Sequence, residues 1–106
     1  MAFLDLENLE KNELVKGGHV RFVHTEKMTF AYWILEQGTE VPLHSHPHEQ
    51  VVNVIEGEID LTIDGETRRL APGQVAVVSS NAEHAAKAAT ACRIIDVFCP
   101  VREDYK

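Results

Sequence analysis

Between Val41 and Gln50 the chain reads VPLHSHPHEQ, with His44, His46 and His48 at alternate positions and Gln50 continuing the same step. Alternate residues of an extended strand point to one face, so His44, His46 and Gln50 are expected to converge from one strand. Imidazole is the commonest metal-binding side chain near neutral pH, and three imidazoles with one further donor complete a four-ligand shell. His84, just after the turn Ser79–Glu83, can supply the third imidazole from a neighbouring strand. The expected ligand set is therefore His44, His46, Gln50 and His84 around one divalent ion. Zinc, nickel, manganese and iron all suit such donors, and the residues do not choose among them. Glu49 is the rival to Gln50, but its odd parity points it away unless Pro47 induces a bulge. Pro47 is expected to kink the strand start and leave His48 at the rim, with direct ligation the lesser alternative. The plain reading of the cluster, surface histidines beside a loop, suits the isolated His19 and His24 better.

Four neutral ligands leave a divalent ion its full double charge, which makes it a stronger anion trap and Lewis acid than a site holding a carboxylate. The chain carries ten basic and seventeen acidic residues, a net charge of −7. A positive focus in that setting favours a small substrate with a carboxylate. The same net charge argues against nucleic acid or an anionic membrane as partner. A second anomaly is Asp96, set in the apolar run RIIDVF, where an unpaired carboxylate carries a heavy desolvation cost. Two readings stay open. Asp96 is a strand-edge residue paired with Arg93 or Arg102, or it lies in the barrel mouth beside the metal as an acid or base. Phe98 shares its parity.

These side chains need a rigid frame, and the remaining sequence supplies strands. At 106 residues with 44% hydrophobic content, the chain is one ordinary globular domain. Residues 1–17 read as an N-terminal arm of mixed charge, one helical turn or irregular. Residues 18–100 read as the barrel, and 101–106 as a tail. HVRFVH, TFAYWILE and QVVNVIE are rich in β-branched and aromatic residues. Asp64-Gly65 is a two-residue hairpin signal, and Glu56-Gly57 and Pro72-Gly73 mark further turns. The alanine-rich AEHAAKAATA favours helix by propensity. Its β neighbours on both sides nevertheless predict strand or loop, with a short helix as the alternative. The fold class is all-β.

Cys92 and Cys99 fall on one strand about 23 Å apart, beyond bridging distance, and read as buried free thiols. The first ten residues alternate apolar with acidic side chains, unlike a signal peptide or a membrane span, so a cytoplasmic protein is expected. If Asp96 and Phe98 face inward, Ile95 and Val97 face outward and want a cover. The arm or a second subunit would provide it, and a homodimer is expected.

The stretch GTEVPLHSHPHEQVVNVIEG resembles the first motif of the cupin family: a glycine, H-x-H, an acid and a second glycine. Gly38, His44, His46, Gln50 and Gly57 fall on its spacings, with Gln50 in place of the usual glutamate. Gly65, Pro72, Gly73 and His84 match the second motif loosely, and Ala88 replaces its usual asparagine. This resemblance implies a jelly-roll-like β-barrel of two antiparallel sheets. The pattern Asp96, Phe98, Pro100, Arg102 is similar to the C-terminal segment of the small pectin-degradation (KdgF-like) cupins, and the likeness spans roughly residues 18–105. Those proteins open the ring of 4,5-unsaturated monouronates to a linear keto acid. The resemblance implies His44, His46, Gln50 and His84 as metal ligands and Asp96, Phe98 and Arg102 as active-site residues of an isomerase-type enzyme. Arg102 would offer its planar fork to a carboxylate. Two other functions suit a three-histidine cupin: a metal-dependent dioxygenase, and a non-catalytic module that binds a sugar or small acid.

Overall fold

Alternating apolar and polar residues, punctuated by glycine, proline and aspartate turns, make strands along almost the whole chain. The computed structural model describes residues 2–106. The strands are β1 (Asn12–Val15), β2 (Gly18–His24), β3 (Thr29–Leu35), β4 (Glu40–His44), β5 (Glu49–Glu56), β6 (Ile59–Ile63), β7 (Glu66–Leu70), β8 (Val75–Val78), β9 (His84–Ala88) and β10 (Cys92–Cys99). Single 3-10 turns, Leu6–Asn8 and Glu103–Tyr105, lie at either end. A six-stranded sheet in the order β1-β2-β3-β10-β5-β8 faces a four-stranded sheet in the order β4-β9-β6-β7. Every pairing is antiparallel. The all-β, two-sheet expectation describes the molecule. Among the described residues, no helix is long and apolar enough to cross a membrane.

Local chemistry explains the turns that set this frame. Asp64 and Gly65 both take positive φ, 47° and 83°, as a tight two-residue hairpin between β6 and β7 requires. Gly57 has φ 78°, and a Cβ there would collide with the Ala91 carbonyl. Glycine is needed at that corner on both counts. The alanine-rich segment forms β9, hydrogen-bonded on both sides by β4 and β6. Two ladders outweigh a helix propensity of a few tenths of a kcal/mol per residue.

β10 runs through the middle of the six-stranded sheet, pairing with β3 and β5. Its even-numbered residues Cys92, Ile94, Asp96 and Phe98 are buried. Ile94 joins Leu35, Val52, Val54, Ile59 and Leu61 in the main core between the sheets. A smaller cluster of Val20, Ala31 and Phe98, packed by Phe22, Trp33 and Tyr105, closes the other side. Two expectations need correction. Beyond the expected single helical turn, at Leu6–Asn8, the arm contains a strand, since β1 pairs with β2 through Asn12 and Val20. Cys99 is exposed while Cys92 is buried. The seven-residue spacing puts Cys99 on the outward parity, at a strand end beside Glu49.

Candidate functional site

The histidine-rich stretch does not form one strand. β4 ends at His44 and β5 begins at Glu49, because Pro47 lacks the N–H a ladder needs. The chain crosses there from the four-stranded to the six-stranded sheet. His44 therefore comes from one sheet, Gln50 from the other, and His46 from the turn between. Shared parity is not what brings them together; the facing of the two sheets is. A register shift between Val41 and His44 also resets the alternation of β4. Val41 lies opposite Ala86 and His44 opposite His84, so three residues on β4 match two on β9, the count of a β-bulge. Without that extra residue His44 would point away from His84.

The ligand atoms of His44, His46 and His84 lie within 4.8 Å of one another. Each ring holds its Nδ1 against a backbone carbonyl: Pro42 at 2.7 Å, His48 at 2.9 Å and Ala82 at 2.9 Å. Donating Nδ1–H outward leaves Nε2 bare and aimed inward, the orientation metal-binding histidines need. His84 Nε2 is buried with no hydrogen-bond partner. His46 Nε2 faces Gln50 Oε1 at 3.1 Å, two lone-pair donors that a cation between them would reconcile. Burial lowers the pKa of His46 and of His84, and the Arg102 charge adds to it in both. Both rings are held neutral, ready to ligate without first losing a proton. Three histidines are thus placed to bind a metal ion. Glu49 is exposed on the opposite face from Gln50. His48 contributes its carbonyl, and its own Nδ1 is buried without a partner.

Asp96 sits between Ala31 on β3 and Val52 on β5 and is 9% exposed. Neither arginine reaches it. Arg93 pairs with Glu56 outside the barrel at 3.4 Å, and Arg102 pairs with Asp104 at 2.8 Å. The strand-edge ion pair is not formed, because Arg93 has outward parity and the guanidinium of Arg102 is turned toward its own 3-10 turn. Asp96 Oδ1 has no hydrogen-bond partner. Burial pushes its carboxyl up to about 7, with the Gln50 side chain, the Trp33 indole and the Arg102 charge acting the other way.

That displacement has a consequence for stability. Between pH 4 and 7 the folded, metal-free protein holds a proton on Asp96 that the unfolded chain has released, so stability falls as pH rises through this window. A rise from 3.8 to about 7 is worth at most about 4 kcal/mol. Melting metal-free wild type and Asp96→Asn side by side from pH 5 to pH 8 should show the variant gaining on the wild type up to about pH 7 and the difference levelling off above it. A constant difference would mean that the carboxyl titrates normally.

Arg102 is 5% exposed. Its Nε and Nη2 donate to Asp104 Oδ1 and Oδ2 at 2.9 and 2.8 Å. Its guanidinium carbon lies 4.0 Å from the Tyr105 ring centre and 4.7 Å from that of Phe98. Burial works against its charge, but the Asp104 bonds and neighbouring Tyr105 leave its pKa raised. The planar fork expected for a substrate is therefore taken by Asp104, and Nη1 is the donor left buried and unpartnered. His44, Gln50, His84, Asp96, Phe98 and Arg102 line one cavity, with Trp33 and Tyr105 also in its wall. Asp104, Tyr105 and Trp33 were not legible as site residues. An aromatic three positions past Arg102 was the available signal, hidden by reading 101–106 as a tail.

A family model described as a cupin domain matches residues 31–98. The chain belongs to the cupin family. Among curated proteins this cupin is similar to two L-ectoine synthases. It is 31% identical to that of Streptomyces anulatus, across 98% of this chain and 87% of the relative. It is 32% identical to that of Thermobifida fusca across 68% of this chain, and spans only 55% of that enzyme's length. Among solved structures, an RmlC-like cupin from Shewanella frigidimarina superposes with a TM-score of 0.94 at 28% identity, covering 100% of this chain and 96% of the other. KdgF from a Halomonas species superposes with a TM-score of 0.93 at 26% identity, covering 100% and 99%. This is a small, single-barrel cupin resembling KdgF.

Proposed function

We propose that this cupin is a metal-dependent enzyme that opens the ring of 4,5-unsaturated monouronates to the linear keto acid. The observation that carries the reading is Asp96, a carboxyl poised at about pH 7 in the cavity it shares with His44, His84 and Arg102. The whole-length likeness to KdgF and the Asp96, Phe98, Pro100, Arg102 pattern support the substrate class. His44, His46 and His84 hold one divalent ion, with Gln50 Oε1 as fourth ligand. When bound, that ion supplies Lewis acidity toward the substrate's carboxylate and a neighbouring oxygen. Arg102 Nη1 anchors the same anionic end, and Phe98 and Tyr105 hold the guanidinium flat. Asp96 moves the proton. The anomeric hydroxyl gives one up, the bond from the anomeric carbon to the ring oxygen breaks to leave an aldehyde and an enolate, and the enolate takes one on carbon to become the ketone. Nothing is oxidised, and a group with a pKa near neutrality can serve as base and then acid.

The test is to load the purified protein with zinc, nickel, manganese or iron in turn and follow loss of the conjugated double bond of the uronate. No turnover with any metal would remove the reading. The curated relatives favour a second reading, L-ectoine formation, at 31% identity over nearly the whole chain. L-ectoine formed from its own acyclic precursor, supplied with the same metals, with no uronate consumed in the parallel assay, would replace the first.

Asp104 gives a separate expectation. Asp104→Asn weakens the charged hydrogen bonds that hold Arg102 but touches no substrate atom. KM for the anionic substrate should rise about tenfold or more, the scale of a lost charge-assisted hydrogen bond, with kcat nearly unchanged and recovery in Asp104→Glu. Equal losses in kcat and kcat/KM would show instead that Arg102 acts on the transition state.

A further inference from the structure

The chain crosses between the two sheets at two places beside the histidines. Residues 45–48 carry it from β4 in the four-stranded sheet to β5 in the six-stranded one, and residues 79–83 carry it back from β8 to β9. The first crossing holds His46, and the second leads directly into His84. Neither crossing lies within a strand. No ladder fixes His46, so hydrogen bonds from a neighbouring segment must decide where it sits.

The two crossings are bonded to each other. Ser80 Oγ donates to the Pro47 carbonyl at 2.6 Å, and the Asn81 N–H donates to the His46 carbonyl at 2.8 Å. The Asn81 side-chain amide donates to Ser80 Oγ at 3.3 Å, which leaves the hydroxyl's own proton for Pro47. Asn81 reaches this position with φ at 65°, a left-handed conformation that asparagine tolerates better than most side chains. The Ala82 N–H closes the turn on the Ser79 carbonyl at 3.0 Å, and the Ala82 carbonyl in turn accepts from His84 Nδ1 at 2.9 Å. Asp64 braces the far end. Its N–H donates to the Glu83 carbonyl at 2.8 Å, and its Oδ1 accepts from the Glu83 N–H at 3.2 Å. One short turn therefore grips the backbone of His46 and the ring of His84, the two buried imidazoles of the cluster.

The geometry points to residues 79–83 as a clasp that sets the spacing of His46 and His84 before metal arrives, with Ser80 as its positioning residue. Ser80 is exposed and acts through the backbone of His46 and Pro47, not as a ligand. Groups that orient metal ligands from behind commonly change metal affinity by about 10–100-fold. Without the clasp, the 45–48 crossing is free to carry His46 away from His84, and part of the binding free energy then goes into restoring the spacing. The exposure of Ser80 also makes it a clean probe, since its loss empties no core. The inference rests on the histidines binding metal and does not depend on the uronate reading.

The experiment titrates zinc against a chromophoric chelator in the full chain, and melts the metal-free and zinc-loaded proteins. Ser80→Ala should weaken zinc binding about tenfold or more and release zinc faster to excess chelator. Ser80→Val should match it. Ser80→Thr, which has the shape of valine but keeps the hydroxyl, should bind zinc as wild type does. The rise in melting temperature on adding zinc should shrink in the alanine and valine variants in step with their lost affinity. Wild-type affinity in both Ser80→Ala and Ser80→Val overturns the clasp, as does a Ser80→Thr variant as weak as Ser80→Val. An equal fall in melting temperature for metal-free and loaded protein, at unchanged zinc affinity, marks a hydrogen bond that serves the fold alone and overturns it too. A wild-type protein that takes up no zinc removes the metal centre itself, and the clasp with it.

Discussion

Replacing Asp96 by asparagine is expected to cut uronate turnover by about 10²–10⁴-fold, the usual scale for removing a general acid or base. Asparagine keeps the shape of the side chain but cannot exchange a proton in this role. Metal content should hold, because the histidine ring orientations depend on the backbone carbonyls of Pro42, His48 and Ala82 and not on Asp96. Stability is the second readout, and its sign separates the two roles first open for this residue. A buried ion-pair partner would leave an orphaned arginine and destabilise by a few kcal/mol. Asp96 has no such partner, and burial holds its carboxyl up at about 7, so the asparagine variant should melt no lower than wild type at neutral pH. Full activity in a destabilised variant would sink the proton-transfer role.

The double variant His44→Ala, His46→Ala should lose stoichiometric metal altogether while the barrel stays folded. Two of the three histidines that lie within 4.8 Å of one another would be gone, leaving His84 and Gln50, too few donors for a closed shell. The fold should survive because its stability comes from strand pairing and from the Leu35, Val52, Val54, Ile59, Leu61 and Ile94 core. His44 is an exposed ring at the mouth, and His46 lies in a turn outside the strands. Circular dichroism and metal analysis on one preparation check both halves. A full equivalent of metal in the folded double variant would place the site elsewhere, and unfolding without metal would make the ion a structural element.

Much of this was legible residue by residue. The Asp64-Gly65 hairpin and the strand character of RIIDVF are local properties, carried by backbone geometry and β-branched side chains, and they emerge as read. The density of histidines around Pro47 pointed to a metal cluster for chemical reasons that need no fold. The mistaken step was geometric. Parity along one strand was the only convergence available from sequence, whereas His44, His46, Gln50 and His84 come from two sheets and a turn. Pro47 was the clue, a residue that breaks the ladder and lets the chain cross over. Asp96 was legible as an anomaly but not in its partners, since choosing between Arg93, Arg102 and no partner needs the register of β10.

By itself, then, the sequence determined residue chemistry and local form: an all-β chain, a cluster of histidines beside a glutamine, a carboxylate in an apolar strand, and an acidic arm. Those follow from side-chain type and from periods of two residues, which act over a few positions. Tertiary structure alone decided which atoms meet. The bulge in β4 turns His44 toward His84, and burial between β3 and β5 lifts Asp96 to about 7. The final turn folds Asp104 and Tyr105 back onto Arg102 so that one nitrogen is left free. Contacts between residues far apart in the chain, and the desolvation they impose, depend on how the two sheets close on each other, and no local period encodes that.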